Sequence, residues 1–434
     1  MSPGHAPSRD GATNPQPIDF GEFVRRRGGR GALVVQPRMG FSDPARMRAG
    51  LLATRAAHAT TVGTITLDSY TRVGELRAAG RALAEGVPLN GYPIVNHPPE
   101  VTRTLLDGVR DDDFPIQVRH GSAVPAHIFA SLVALRLNAT EGGPVSYCLP
   151  YGRTPLAESV GNWRRGTELF VTLREQGVEP HLETFGGCMM GQLCPPSQLV
   201  AISALEALFF HQHGVRSLSV SYAQQTSFDQ DVEAVLALRR LCAELLPTPN
   251  WHVVVYAYMG MYPVTGMGAY RLLERAAELA VMTGAERLIV KTEAEARRIP
   301  TIAENVAALE WAGAVRSDVR LAAGIDSETY AEAAALVHAV LNLDADVGRA
   351  LLAAFRHGIL DVPYCLHPDN MGRTRSYLDT DGWLRWAATG SMPLPGAPGR
   401  RRPRVLTSAG LLNDLSFVRR SYDGVPAAPT KASA

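Results

Sequence analysis

WHVVVYAY, residues 251–258, is apolar almost without interruption. A strand with one wet face alternates apolar and polar side chains, whereas an unbroken run of this kind suits a strand covered on both faces. Its flanks agree: DVEAVLALRRLCAELLP precedes it and GAYRLLERAAELAVMTG follows it, both with helical spacing. Similar runs recur at GALVVQ (31–36), TTVGTITL (60–67), FPIQV (114–118), PVSYCL (144–149), PHLETF (180–185), SLSVSY (217–222) and RLIVKT (287–292). Helical patterns lie between several of them. In PLAESVGNWRRGTELFVTLREQG, Leu156, Val160, Trp163, Phe170 and Leu173 share one apolar stripe, and Gly177 supplies a stop. In SQLVAISALEALFFHQHG, Ser197 suits an N-cap and Gly214 a stop. A doubly wound open sheet would show the same alternation. The count of eight runs argues for an α/β chain folded as a (β/α)8 TIM-type barrel.

The chain divides accordingly into a disordered tail (1–20), the barrel (21–315), a C-terminal helical and irregular extension (316–422) and a second tail (423–434). In the extension, SETYAEAAALVHAVLNL and DVGRALLAAFRHG read as helices. The long gap at 68–113 holds a helix, PLNGYPIVNHPP and another helix. Long insertions on a barrel's active face usually serve the site. GRRRPR (399–404) reads as a solvated loop.

The bulk properties exclude several classes. A net charge of +1 offers no field for nucleic acid or an acidic membrane. No apolar run reaches the ~18 residues of a membrane span. MSPGHAPSRDGATNPQ has no apolar core for a signal peptide. The five cysteines are odd in number, scattered and without a CxxC, which suits reduced thiols and a cytoplasmic location. No metal constellation emerges. His211 and His213 face apart on a helix, His120 reads as a core histidine, and HPDN at 367 has no partner cluster. GGCMMG (186–191) lacks the lysine of a phosphate cradle, and no GxGxxG follows a strand.

The informative charges stand at strand ends. The first three runs close on Arg38 (VVQPRMG), Arg72 (TLDSYTRV) and Arg119 (IQVRHG). In a parallel barrel the carboxyl ends of the strands ring one pocket, where guanidiniums repel each other unless an anion arrives. Arginine grips carboxylates through paired hydrogen bonds, so this trio suits a dianion. Glu141, in NATEGGPVSYCLPYGR (138–153), is expected just before the fourth strand on the same rim. It would take an ammonium, with the adjacent glycines letting backbone and substrate come close. Tyr147 and Tyr151 can donate from the pocket wall. An amino acid with two carboxylates matches this pattern.

At these residues the chain resembles the large, or epsilon, subunit of glutamate mutase (methylaspartate mutase). The matching stretches are QPRMG, DSYTR, LNGYPIVNH, QVRHG, EGGPVSYCLPY, LCPPS, GAERLIVKTEAEARRIPT and GILDVPY, in the family's order. The resemblance implies a (β/α)8 barrel in which Arg38, Arg72 and Arg119 grip both substrate carboxylates. It implies that Glu141 is a catalytic residue beside the amino group, with Tyr147 and Tyr151 lining the pocket. Asn90, Pro150, Lys291 and Glu295 correspond to cofactor-side residues, with Lys291 and Glu295 holding the adenosyl ribose. The implied cofactor is adenosylcobalamin, whose adenosyl radical takes a hydrogen from C4 of glutamate. The substrate radical splits into a glycyl radical and acrylate, which recombine as the 3-methylaspartate skeleton. The axial histidine of such enzymes comes from a DxHxxG segment. None of the twelve histidines here has an aspartate two residues before it, and His181 in EPHLET comes nearest. The expected partner is therefore a separate small, sigma-type cobalamin-binding subunit, in a hetero-oligomer built on a large-subunit dimer. One departure is YAYMGMY (256–262), which puts Tyr256 where a histidine beside the cofactor is expected. Two alternatives stay open: a mutase of a related dicarboxylate, or a non-catalytic barrel that binds a dicarboxylate or a cobalamin partner.

Overall fold

The computed structural model describes residues 19–28, 32–189, 193–321, 326–395 and 407–424. Of the two expected tails, residues 1–18 and 425–434 lie outside them, as does the run 399–404, but Asp19 and Phe20 cap and begin a helix and Asp423 ends another, because each is tied down by hydrogen bonding or burial. Eight strands form the central sheet: β1 (Val34–Gln36), β2 (Gly63–Thr66), β3 (Ile116–Arg119), β4 (Ala139–Gly142), β5 (His181–Thr184), β6 (Ser217–Ala223), β7 (Trp251–Tyr256) and β8 (Arg287–Ile289). Every neighbouring pair is parallel, and the order β1-β8-β7-β6-β5-β4-β3-β2 leaves only β1 and β2 to meet. They do so through a parallel bridge between Val35 and Thr61. Val35 N–H donates to the Thr60 carbonyl at 2.9 Å and Val62 N–H to the Val35 carbonyl at 3.3 Å. The ring closes as a barrel, with helices between the strands.

The fourth strand is a correction to the sequence reading. It is Ala139–Gly142, so Glu141 lies within it, and PVSYCL (144–149) is a turn beyond its end. Tyr147 N–H donates to the Gly143 carbonyl at 3.2 Å and Leu149 N–H to the Val145 carbonyl at 3.0 Å. Two features stop the strand: Gly142 has φ 138°, and Pro144 has no N–H for a ladder. Ser197 is also inside its helix rather than capping it. The helix Pro196–Gln212 begins after Pro195, and the Ser197 hydroxyl donates to Glu332 at 2.6 Å.

The amino-terminal end of the barrel is plugged by the helix Phe20–Arg27, capped by Asp19, whose carboxylate accepts from Glu22 N–H at 2.8 Å. Its Phe20, Phe23 and Val24 pack against Val34, Val62 and Ala139 at the starts of three strands. Beyond the barrel, the helices Glu328–Leu341 and Val347–His357 pack on Pro196–Gln212. The region read as irregular contains an antiparallel hairpin, β9 (Arg375–Leu378) and β10 (Leu384–Ala388), and the helices Ser408–Leu415 and Phe417–Asp423. Asp423 ties the last helix to the loop after β7, accepting from the Thr265 hydroxyl at 2.6 Å and Val264 N–H at 2.9 Å. All five cysteines are buried and unpaired. Among the described residues no helix is long and apolar enough to cross a membrane.

Removing the plug tests this packing. Phe20→Ala is expected to cost about 3–5 kcal/mol, read by calorimetry as a lower unfolding temperature with the far-ultraviolet spectrum preserved.

Candidate active site

The strands' carboxyl ends deliver a dense group of ionisable side chains. Arg119 is the last residue of β3, Glu141 lies in β4 and Tyr256 ends β7. Glu183 of β5 stands in register beside Glu141. Arg38 follows β1, Lys291 follows β8, and Arg72 sits in the short helix Ser69–Val73 after β2.

Glu141 is the centre of this group. Only 1% exposed, its Oε2 accepts from Arg119 Nε at 2.8 Å and from the Tyr256 hydroxyl at 2.6 Å. Its Oε1 accepts from the Tyr147 hydroxyl. Burial works against the charge of Arg119, but Glu141 outweighs it and holds the guanidinium well above its ordinary range. Because Arg119 spends Nε on Glu141, its two-pronged Nη edge remains directed away from that bond. Burial, then Glu141, keeps Tyr147 a phenol.

Around this pair lie the other cations. Glu295 Oε1 accepts from Arg38 Nη1 at 3.0 Å and from Lys291 Nζ at 2.9 Å. Burial brings Lys291 down to about 8, so it is still protonated at neutral pH. Burial works against the ionisation of Glu295, but Lys291 and Arg38 overcome it and hold the carboxylate below its ordinary range. Arg72 has a single weak contact, Nη2 to the Ser69 hydroxyl at 3.4 Å, and its Nε is buried with no partner among the described residues. Burial, with Arg72 and Arg119 adding to it, pushes His120 down to about 3. It is a neutral ring stacked on Trp163, centroids 5.6 Å apart, as the core-histidine reading expected. Arg119 acts electrostatically on Lys291 and Glu295, while Arg38 and Arg119 both act on Tyr151. Three of these cations meet a carboxylate, Arg119 that of Glu141 and Arg38 and Lys291 that of Glu295, while Arg72 acts electrostatically on His120 beside Arg119.

The remaining expected residues sit further out. Tyr151 is 52% exposed, its ring 6.0 Å from that of Tyr147. Pro150 is half-buried in the turn between them. Asn90 is exposed, and its side chain donates to the Ser69 hydroxyl at 2.6 Å and accepts from Ser69 N–H at 2.9 Å, beside Arg72. Tyr256, where a histidine was expected, meets Glu141 through its hydroxyl. The glycines after Glu141 serve packing rather than close approach of a substrate. A Cβ on Gly142 would lie 2.4 Å from the Trp163 ring, and one on Gly143 would lie 1.9 Å from Glu206 Oε1.

Three participants escaped the sequence reading. Glu183 accepts from Arg287, shares the single proton of the Tyr256 hydroxyl with Glu141, and through Oε2 also accepts from Gln117 at 3.1 Å and Ser219 at 3.0 Å. Arg287 is wholly buried and continues to Gln36. Glu206, on Pro196–Gln212, accepts from Val145 N–H at 3.2 Å, Ser146 N–H at 2.9 Å and the Ser146 hydroxyl at 2.9 Å. It anchors the turn that carries Tyr147 and Tyr151. Among the described residues no group of three or more histidine, cysteine, aspartate or glutamate side chains is placed to hold a metal ion.

Comparison with known proteins bears directly on this arrangement. Residues 15–401 match the methylaspartate mutase E chain family. The chain belongs to that family. It is 30% identical over 351 residues to the glutamate mutase epsilon subunit of Escherichia coli O157:H7, covering 76% of this chain and 72% of that one. The epsilon subunit of Haloarcula marismortui is 32% identical over 346 residues, with 76% and 70% covered. That of Treponema denticola is 29% identical over 353 residues, with 76% and 71% covered. As a member of this mutase family the chain is a large subunit.

Two stability measurements probe the buried charges. Arg119→Met strands Glu141 and is expected to cost about 3–5 kcal/mol, whereas Arg119→Met with Glu141→Leu recovers most of that. Denaturant midpoints of the native protein, Arg119→Met and the double variant read the loss and the recovery. For Glu206, burial outweighs its donors and raises the carboxyl from 4.5 to about 7. Its favourable contribution is therefore full below the ordinary carboxylate range and is lost as pH rises through about 7. Between about pH 5 and 8 the unfolding temperature of the native protein should fall relative to that of Glu206→Gln.

Proposed function

We propose that this chain is the catalytic large subunit of an adenosylcobalamin-dependent isomerase that interconverts L-glutamate and threo-3-methyl-L-aspartate. The observation that carries the reading is the unspent hydrogen-bonding capacity of the arginines. Among the described residues, Arg72 keeps a buried, unpartnered Nε, and Arg119 bonds Glu141, a fixed carboxylate, through Nε. A buried guanidinium and a half-buried one left in this state have a strong preference for a multiply charged anion.

The residues have distinct tasks in this reading. Arg38, Arg72 and Arg119 bind the two carboxylates, so both ends of the carbon skeleton stay fixed while its middle rearranges. Glu141 accepts a hydrogen bond from the ammonium group with its remaining lone pair, on Oε1. Tyr147, and Tyr151 at the rim, complete the wall. Fixing both ends keeps the fragments of the substrate radical within recombining distance, and the closed barrel keeps solvent from them.

The mouth also fits the adenosyl group. Glu295, anchored by Arg38 and Lys291, offers carboxylate oxygens suited to the hydroxyls of a ribose, and Lys291 offers an ammonium donor. Asn90 lies in the connection after β2 and Pro150 in the turn after β4. Adenosylcobalamin, when bound, supplies the radical that removes a hydrogen atom from the substrate. A separate small subunit would bring the cobalamin.

The test combines the purified chain, a DxHxxG-bearing small subunit and adenosylcobalamin with glutamate, and follows methylaspartate by chromatography. Product is expected with glutamate. Turnover of an amine-free diacid alone would overturn the substrate assignment, and assembly without any turnover would overturn the catalytic one. Arg119→Lys should lower kcat/KM by about 2 kcal/mol or more, roughly thirtyfold, because an ammonium cannot reproduce the fork. Unchanged kinetics would remove Arg119 from the substrate.

A further inference from the structure

Tyr256 touches both members of the Arg119–Glu141 pair. The Arg119 guanidinium lies over its ring, Cζ 5.1 Å from the centroid, and its hydroxyl meets Glu141 Oε2 at 2.6 Å. The ring itself has little freedom. Phe185 meets it nearly edge-on, centroids 5.7 Å apart at 82°, and Tyr256 is only 1% exposed. The hydroxyl oxygen also lies against Glu183, which Arg287, Gln117 and Ser219 fix in turn, so its single proton is shared between the two carboxylates. A continuous polar line thus runs from the barrel interior through Arg287, Glu183 and Tyr256 to Glu141 and Arg119. Burial keeps the phenol far above its ordinary range, so it retains its proton.

The consequence concerns orientation. The terminal torsion of a glutamate is broad and two-fold, so a carboxylate takes a single setting only when several donors define it. Glu141 has three donors, from β3, from the turn after β4 and from β7. Two of them act at Oε2, and Tyr256 is one of those.

We propose that Tyr256 is a positioning residue for the amine end of the substrate: its hydroxyl sets the plane of the Glu141 carboxylate and its ring supports the Arg119 guanidinium, so that together they select a diacid bearing an ammonium over one without. This rests on the reading above that Glu141 receives the ammonium. Tyr256 acts through Glu141 and does not itself meet the substrate. Tyr256→Phe keeps the ring under Arg119 and removes only the hydroxyl, which separates its two contributions.

The experiment is calorimetric titration of the full-length chain with glutamate and with glutarate, the same diacid without the amine. The native protein is expected to prefer glutamate. Tyr256→Phe should cut that preference about tenfold or more, the scale of a lost hydrogen bond to a charged group. The loss should come from weaker glutamate binding, with glutarate binding changed by less than about twofold. A general structural defect would weaken both diacids alike. In a Glu141→Gln background, adding Tyr256→Phe should change the preference no further, since the residue acts through the carboxylate. That pair of variants also serves if Tyr256→Phe alone fails to fold. A native protein that binds neither diacid overturns the functional reading, and the Tyr256 proposal with it. A native preference for glutamate that survives in Tyr256→Phe, or equal weakening of both diacids, overturns the Tyr256 proposal and leaves the functional reading standing.

Discussion

One buried ion pair organises the upper half of this barrel. Arg119 and Glu141 come from adjacent parallel strands and meet at 2.8 Å with almost no exposure. Taking two charges out of water is costly, and a pair alone seldom repays it. Here the cost is offset by hydrogen bonds from Tyr147 and Tyr256 to the carboxylate. The second pair, Glu183 with Arg287, sits deeper and shares the Tyr256 hydroxyl. The interior is therefore a polar column whose upper end is preorganised for a charged ligand. Preorganisation of this kind matters because the groups need not move when the ligand arrives.

The rest of the fold gives this column its rigidity. The helix Phe20–Arg27 seals the lower end, where Phe20 lies under the Arg287 guanidinium with Cζ 5.1 Å from the ring centroid. Glu206 clamps the turn that presents Tyr147. The C-terminal extension reaches back to the loop after β7 through Asp423, so residues far along the chain also steady the mouth. By contrast, Arg72, Asn90 and Tyr151 belong to rim segments with looser tethers. The division is between a fixed floor around Glu141 and a more open rim.

Much of this was legible in the sequence, for definable reasons. The barrel showed itself because strands covered on both faces lose their polar alternation. Arginines at the ends of the early strands stood out because charge there is unusual. Glu141 was recognised but misplaced: ATEG has little of the apolar character that marks a strand, and PVSYCL has more. Parallel pairing on both sides fixed Ala139–Gly142 as the strand. Glu183 was hidden for a different reason. Its partners Tyr256 and Arg287 lie 73 and 104 residues away along the chain, and no local pattern announces such a contact. Glu206 sits in a helix buried on nearly every face, so periodicity says nothing about which neighbour it serves. The glycines at 142 and 143 look like freedom for a substrate in one dimension and prove to be space for Trp163 and Glu206 in three.

The account stands or falls on what the arginines and Glu141 hold. The most direct measurement is a crystal structure of the chain with glutamate bound. The expected density places both carboxylates on the guanidinium edges of Arg38, Arg72 and Arg119, with the ammonium in hydrogen-bond contact with Glu141. Glutamate bound elsewhere, or bound there with its amine turned away from Glu141, would contradict it.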